Sequence, residues 1–228
     1  DGEYRLLKAA DDNKEQTYFL YTLNQSQLQH ARFPLADLTK PQVRAIAADI
    51  GLDNADKKDS TGICFVGERK FKSFLQEFIL GKPGDIVTDK GQCVGRHDGL
   101  MYYTLGQRKG LTIGGLKHTP EAPWYVIDKN IPSNQLIIGQ GHEHPRLLNH
   151  SLICEDAHWI NHPPQFPFTC QAKTRYRQVD QSCTISEHTP GQLHVAFVDA
   201  QRAITPGQAI VFYQGDQCLG GATINSPA

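Results

Sequence analysis

Asp59-Ser-Thr-Gly-Ile-Cys-Phe-Val-Gly67 is a cysteine set in a glycine-bounded loop, with hydroxyls leading in and a short apolar run leading out. Gly62 and Gly67 admit backbone bends that a Cβ would strain. A helical pattern begins at Glu68 and runs to Leu80, where Phe71, Phe74, Leu75 and Phe78 share one face. A thiol at a helix start feels the positive end of the peptide dipoles, which favours the thiolate. The thiolate is the nucleophile and the sulfur carrier. The same residues also fit a second reading, Cys64 as a small buried hydrophobe between Ile63 and Phe65. The loop alone leaves both open.

The loop also divides the chain. Ahead of it the pattern is mixed α/β. Tyr4–Lys8 is a plausible strand, and the apolar stretch Thr17–Leu23 begins a helix capped near Asn13 or Thr17. Leu38–Gly51 carries a full helix signature. Thr39 stands at the N-cap and Pro41 in the first turn. Val43, Ile46, Ala47 and Ile50 form an apolar face, and Gly51 stops the helix. After the loop, Gly81-Lys-Pro-Gly84 and Asp89-Lys-Gly91 punctuate short strands. From residue 143, β-type runs alternate with turns: Ser151–Cys154, Phe168–Lys173, Gln192–Val198 and Ala209–Tyr213. Such spacing suggests a small barrel or sandwich. The expected division is 1–67, 68–142 and 143–228.

Composition narrows the function classes. The 228 residues are enough for one large domain or two small ones. A net charge of −1 gives no global argument for nucleic acid, so any RNA site must be a local patch. No apolar run approaches the ~18 residues of a membrane span, and no signal-peptide pattern opens the chain. The first residue is Asp1 and the only methionine is Met101, so a fragment or processed form is expected.

The six cysteines, Cys64, Cys93, Cys154, Cys170, Cys183 and Cys218, show no Cys-x-x-Cys, which argues against a general thiol oxidoreductase. They read as reduced thiols of a cytoplasmic protein. Cys154 with His158, and His142 with His144, lack a second ligand pair at zinc spacing, so no metal site is expected.

Local basic signals remain. Lys173, Arg175 and Arg177 alternate with Thr174, Tyr176 and Gln178. On a strand, period 2 would set the three cations on one face, where they could track a phosphate backbone or form a solvated outer face. Lys14-Glu-Gln16 is a charged turn ahead of an apolar segment. Gly106-Gln-Arg-Lys-Gly110 is a basic turn that could approach RNA closely or simply be solvated.

Asp59–Phe71 resembles the second catalytic cysteine segment of the bacterial tRNA-specific 2-thiouridylases. The likeness continues in Gly99-Leu-Met-Tyr-Tyr-Thr-Leu-Gly-Gln-Arg-Lys-Gly-Leu111, Pro123-Trp-Tyr-Val-Ile-Asp128 and Gly139-Gln-Gly-His-Glu-His-Pro145. It extends through Lys173-Thr-Arg-Tyr-Arg-Gln178, Thr205-Pro-Gly-Gln208 and Cys218-Leu-Gly-Gly221, in the family's order over nearly the whole chain.

The resemblance implies an α+β multidomain protein. Its parts would be a remnant of an α/β ATP-pyrophosphatase-type domain, a small mixed α/β central domain and a C-terminal antiparallel β-barrel. It implies sulfur transfer to C2 of the wobble uridine of a tRNA for glutamate, glutamine or lysine. ATP, with magnesium, would adenylate the base, and a sulfur-relay protein would load Cys64 as a persulfide. A first cysteine, N-terminal to Asp1 in the family, would resolve Cys64 through a disulfide. The implied tRNA contacts are Lys14, Glu15, Gln16, Arg175, Tyr176 and Gln208. The family's usual residue at Glu15 is aspartate, so the arm here is longer. No glycine- and serine-rich phosphate loop is present, so the ATP site is expected largely outside this chain, with no cofactor bound and the fragment alone inactive. The competing class is a non-catalytic RNA-binding module with an inert Cys64.

Overall fold

Ala209-Ile-Val-Phe-Tyr213 offers no polar residue to turn toward solvent. The strand it forms is buried on both faces, with Ile210, Val211, Phe212 and Tyr213 all fully enclosed. The rest of the fold is organised around that strand. In this computed structural model, residues 2–57, 71–111, 113 and 122–228 are described. Cys64, its loop and the expected start of the following helix lie outside them.

The N-terminal segment holds β1 (Leu6–Leu7), α1 (Thr17–Leu20), α2 (Gln25–Leu28) and α3 (Lys40–Asp49). Next come α4 (Phe71–Phe78), β2 (Gly84–Thr88), β3 (Cys93–His97), β4 (Trp124–Asn130) and β5 (Gln135–Gln140). The remainder is β6 (Leu148–Trp159), β7 (Phe168–Lys173), β8 (Gln181–Thr189), β9 (Gln192–Arg202), β10 (Ala209–Gln214) and β11 (Gln217–Pro227). Two units result: residues 1–58 with 150–228, and residues 59–149.

In the first unit, strands run in the order β6-β11-β10-β7-β8-β9 and return to β6, closing a six-stranded antiparallel barrel. Alternate residues point inward: Cys170 and Ala172, Cys183 and Ile185, Val195 and Phe197, Ile210 and Phe212, Ala222 and Ile224. Register sets small against large, with Ala172 opposite Phe212 and Cys183 opposite Phe197. Trp159 stacks on Phe212 at 5.4 Å between centroids. Each fully buried Val, Ile or Phe among them contributes about 1.5–3 kcal/mol by leaving water.

A second core covers the outer face of β10. Val211, Tyr213 and Cys218 pack with Leu6, Tyr18, Leu28 and Ile160. The expected strand at Tyr4–Lys8 contracts to Leu6–Leu7, paired with β11 through Leu6↔Cys218. The helix expected near residue 17 is a single turn. Gln16 stands at its cap without a side-chain bond. The Thr17 N–H donates instead to the Glu15 carboxylate at 2.5 Å.

Helix α3 follows its sequence signature, with Thr39 at the N-cap and Gln42 Oε1 accepting from the Thr39 N–H at 2.8 Å. Its apolar face differs from expectation. Ile46 and Ile50 are exposed among the described residues. No helix in these segments is long and apolar enough to cross a membrane.

The second unit is a mixed sheet in the order β3-β2-β5-β4, with β2 and β5 parallel and the other pairs antiparallel. Its core gathers Ile86, Leu100, Tyr103, Val126, Leu136 and Ile138. The basic turn at 106–110 is tied to β4, since the Gly106 N–H donates to Val126 O at 2.8 Å.

Barrel closure depends on Gly220. Its φ is +144°, and a Cβ there would sit 2.0 Å from His158 O on the neighbouring β6. Gly220→Ala is therefore expected to lose about 3 kcal/mol or more in urea unfolding. Gly215→Ala shares a positive φ of +57° but meets nothing within 4 Å, and is expected to lose only about 1 kcal/mol. Equal losses would show that the β6–β11 contact is not the constraint.

Candidate nucleic-acid interface

The expected row of cations does not form on one strand face. Strand β7 ends at Lys173. Thr174 turns inward, and its N–H and hydroxyl both donate to Gln178 Oε1, at 2.8 and 3.1 Å. That bond closes a turn where period 2 no longer applies. Gln178 Nε2 in turn donates to the buried Gln201 at 2.7 Å, anchoring the turn to β9. Arg177 holds a φ of 66° within it.

The three cations therefore have three fates. Lys173 points into a charged cluster under the turn, with Asp180 at 3.5 Å and Glu15 at 4.0 Å. Lys8 pairs with the same Asp180. The two ammonium groups lie over the Tyr213 ring, at 4.6 and 5.1 Å from its centroid. Glu15 is 4% exposed, so its carboxylate faces Lys173 and the start of α1. Arg175 is half-buried and donates from Nη2 to Ala203 O at 2.9 Å. Burial, and then the neighbouring Arg202, pull its guanidinium below the ordinary value. Arg177 alone of the three is exposed, 5.4 Å from the Tyr176 ring centroid.

Three sequence-distant segments nevertheless meet at one edge of the barrel unit. Tyr18, just past the Lys14–Gln16 turn, donates its hydroxyl to Ala209 O at 2.9 Å. Burial raises its pKa to about 12. Phe19 and Tyr176 lie 4.6 Å apart between centroids. Ala203 O, which Arg175 engages, also accepts from the Thr205 hydroxyl at 2.9 Å. Gln208 closes the same turn, its N–H donating to Thr205 O at 3.2 Å. Ala203 and Arg177 both sit at positive φ, a strained state that persists where surroundings over-determine it. Gln16 is exposed, while Lys14, Tyr176 and Gln208 are half-buried. Sequence alone assigns no role to Lys8, Asp180, Phe19 and Arg202, and none beyond alternation to Gln178. Only Gln178 carried a local signal, as an amide able to cap a turn four residues back.

Among the described residues, no three His, Cys, Asp or Glu side chains group as metal ligands. Cys154 is enclosed in the barrel core, where burial raises its pKa to about 12. His158 Nε2 lies 3.0 Å from Leu23 O.

Three family models match the chain. A tRNA methyl transferase HUP domain covers residues 1–68, a tRNA methyl transferase PRC-barrel domain covers 72–140, and an aminomethyltransferase beta-barrel domain covers 149–224. Similar curated proteins carry the name tRNA-specific 2-thiouridylase MnmA. The one from Nitrosococcus oceani is 55% identical over 227 residues, 99% of this chain and 62% of its own length. That from Coxiella burnetii (strain RSA 493) is 55% identical over 226 residues, with shares of 99% and 62%. That from Legionella pneumophila (strain Lens) is 56% identical over 220 residues, with shares of 96% and 61%. The chain thus spans about three fifths of the length of these relatives.

The cluster beneath the turn sets a stability expectation. The Lys173 side chain is 12% exposed and that of Glu15 5%. Lys173→Met would strand Glu15 without its cation, and is expected to lose about 3 kcal/mol in urea unfolding. Arg177→Ala, at the exposed end of the same turn, should change stability little. Similar small effects from both substitutions would mean that the cluster does not hold the turn in place.

Proposed function

Because the chain belongs to the tRNA-specific 2-thiouridylase family, we propose that it supplies the tRNA-contacting surface and the sulfur-carrying cysteine of that reaction. The product is a 2-thiouridine at the wobble position of a tRNA for glutamate, glutamine or lysine. One observation carries the reading. The start of α1, the 174–178 turn and the 205–208 turn converge on one edge. Arg175, Tyr176, Gln208, Lys14 and Gln16 are the tRNA contacts. Glu15, turned inward, positions Lys173 and the α1 start beneath them. We keep the division 1–67, 68–142 and 143–228 as the functional one, in line with the spans of the three family models.

Cys64 is the persulfide carrier. A donor protein of the sulfur relay hands its outer sulfur to the Cys64 thiolate and leaves as a thiol. That sulfur then bonds to C2 of the uridine as the activated oxygen departs. A second thiol then attacks the Cys64 sulfur, breaking its bond to the transferred sulfur, which leaves on the uridine, and closing a disulfide that a cytoplasmic reductant must reopen. ATP supplies the activation of the oxygen in this chemistry. The described residues present no glycine-rich loop opening a helix, so they do not fit the nucleotide.

Thiol reactivity separates a sulfur carrier from an inert cysteine. Cys154, Cys170, Cys183 and Cys218 are buried, while Cys93 is exposed. Limiting iodoacetamide near neutral pH is expected to alkylate Cys64 before Cys93, with the other four protected. Faster labelling of Cys93 would remove the chemical basis for Cys64 as carrier. In the whole protein, Cys64→Ser should abolish thiolation and leave tRNA binding nearly intact.

RNA binding is tested through its salt dependence. Arg175→Ala should weaken tRNA binding and reduce the slope against salt by roughly one unit, since one neutralised phosphate releases its counterions. Tyr176→Phe should lose on the order of 1 kcal/mol if only its hydroxyl is used. Lys90, an exposed cation of the second unit, serves as control. Equal losses for Arg175→Ala and Lys90→Ala would point to diffuse electrostatics and defeat the assignment.

A further inference from the structure

Phe19 is 59% exposed, yet it is firmly placed. Tyr18 beside it is buried and tied to Ala209 O. The Tyr18 ring meets Phe19 edge-on, at 5.5 Å and 88°. On the other side Phe19 faces Tyr176, with centroids 4.6 Å apart and planes inclined by 46°. The Arg177 guanidinium lies beyond, 5.4 Å from the Tyr176 centroid. The row Phe19, Tyr176, Arg177 is contributed by two segments more than a hundred residues apart in sequence. No core purpose accounts for Phe19, whose ring is turned out of the apolar cluster that encloses Tyr18.

A single exposed phenylalanine is ordinary. One clamped between a buried tyrosine and a second ring, with an arginine alongside, has a more specific chemistry. We propose that Phe19 and Tyr176, flanked by Arg177, form a stacking platform for one unpaired base of an RNA loop. Every base offers a π face to such rings, and an adjacent guanidinium meets both the base plane and the phosphate that accompanies it. Charge favours this occupant, since the exposed Arg177 guanidinium borders the Tyr176 ring while the Glu15 carboxylate is turned inward to Lys173. The apolar area is that of two rings, small against the ~800 Å² a side that a stable protein partner covers. A paired base in a duplex presents no free face, which restricts the ligand to a loop or single strand.

This inference rests on the RNA-binding reading above, and its test separates the two. The chain is titrated with a tRNA anticodon stem-loop carrying 2-aminopurine at each unpaired loop position in turn, and with a fully paired duplex of similar length. Fluorescence quenching is expected at one loop position. Phe19→Ala should remove that quenching and weaken hairpin binding by roughly 5- to 150-fold, with the slope against salt unchanged and the duplex unaffected. Phe19→Trp should retain both binding and quenching. Phe19→Leu keeps an apolar side chain without a π face, and should behave like Phe19→Ala. Thermal unfolding of each variant verifies folding. The stacking role is overturned if Phe19→Ala or Phe19→Leu binds the hairpin as wild type does, or if no loop position is quenched by a wild type that binds. If wild type does not bind the hairpin, the RNA-binding reading itself fails and the platform falls with it.

Discussion

Strand β10 must be covered on both sides, and much of the first unit follows from that. A barrel strand ordinarily has one face for the interior and one for water. Here Ile210 and Phe212 fill the barrel, while Val211 and Tyr213 are equally enclosed on the outside. The cover is the N-terminal segment, through Leu6, Tyr18 and Leu28. Its docking carries α1 to the end of β10, where the Tyr18 hydroxyl meets Ala209 O. The edge that gathers the candidate contacts is thus a by-product of hiding an apolar strand.

Charge is distributed by the same geometry. Lys8 and Lys173 lie over the enclosed Tyr213 ring and are held by Asp180 and Glu15. They stabilise the base of the turn and are not available to a ligand. Arg175 stands above them beside Arg202, in a position where burial and the like charge both disfavour its ionised form. An arriving phosphate would offset both effects, so near-zero net charge does not preclude a local affinity for RNA.

The cysteines divide along the same line of burial. Cys170 and Cys183 face each other across β7 and β8, their sulfurs 3.8 Å apart. The contact with Cys183, then burial, pushes the Cys170 thiol far up. Burial raises Cys154 and Cys218 to about 12. These sulfurs act as small hydrophobes that fit between larger core residues, and the raised thiols of Cys154, Cys170 and Cys218 are poor nucleophiles at neutral pH.

Much of the fold was legible from sequence because it is written in local periodicity. Four barrel strands showed as β-type runs, and α3 showed as Thr39, Pro41 and Gly51 around an apolar repeat. Strands β8 and β11 escaped, since Gln181–Thr189 is mostly polar and Gln217–Pro227 is interrupted by a glycine pair, which blurs the alternation of each. Motif order named the candidate contacts as residues, but not their arrangement. Lys173, Arg175 and Arg177 alternate in sequence, and alternation means one face only if the strand continues. A side-chain amide at Gln178 ends it, and Gln178's partner Gln201 and the Glu15 carboxylate awaiting Lys173 both lie far along the chain. Phe19 read as one more apolar residue in a helix start, and only packing decides which side of a single helical turn faces water. The sequence by itself determined which segments are apolar, where they turn and which family's motifs they carry, because those signals are local. Which charges are buried, which ring is exposed and which segments share an edge was decided by the tertiary structure, because those depend on contacts between residues far apart in the chain.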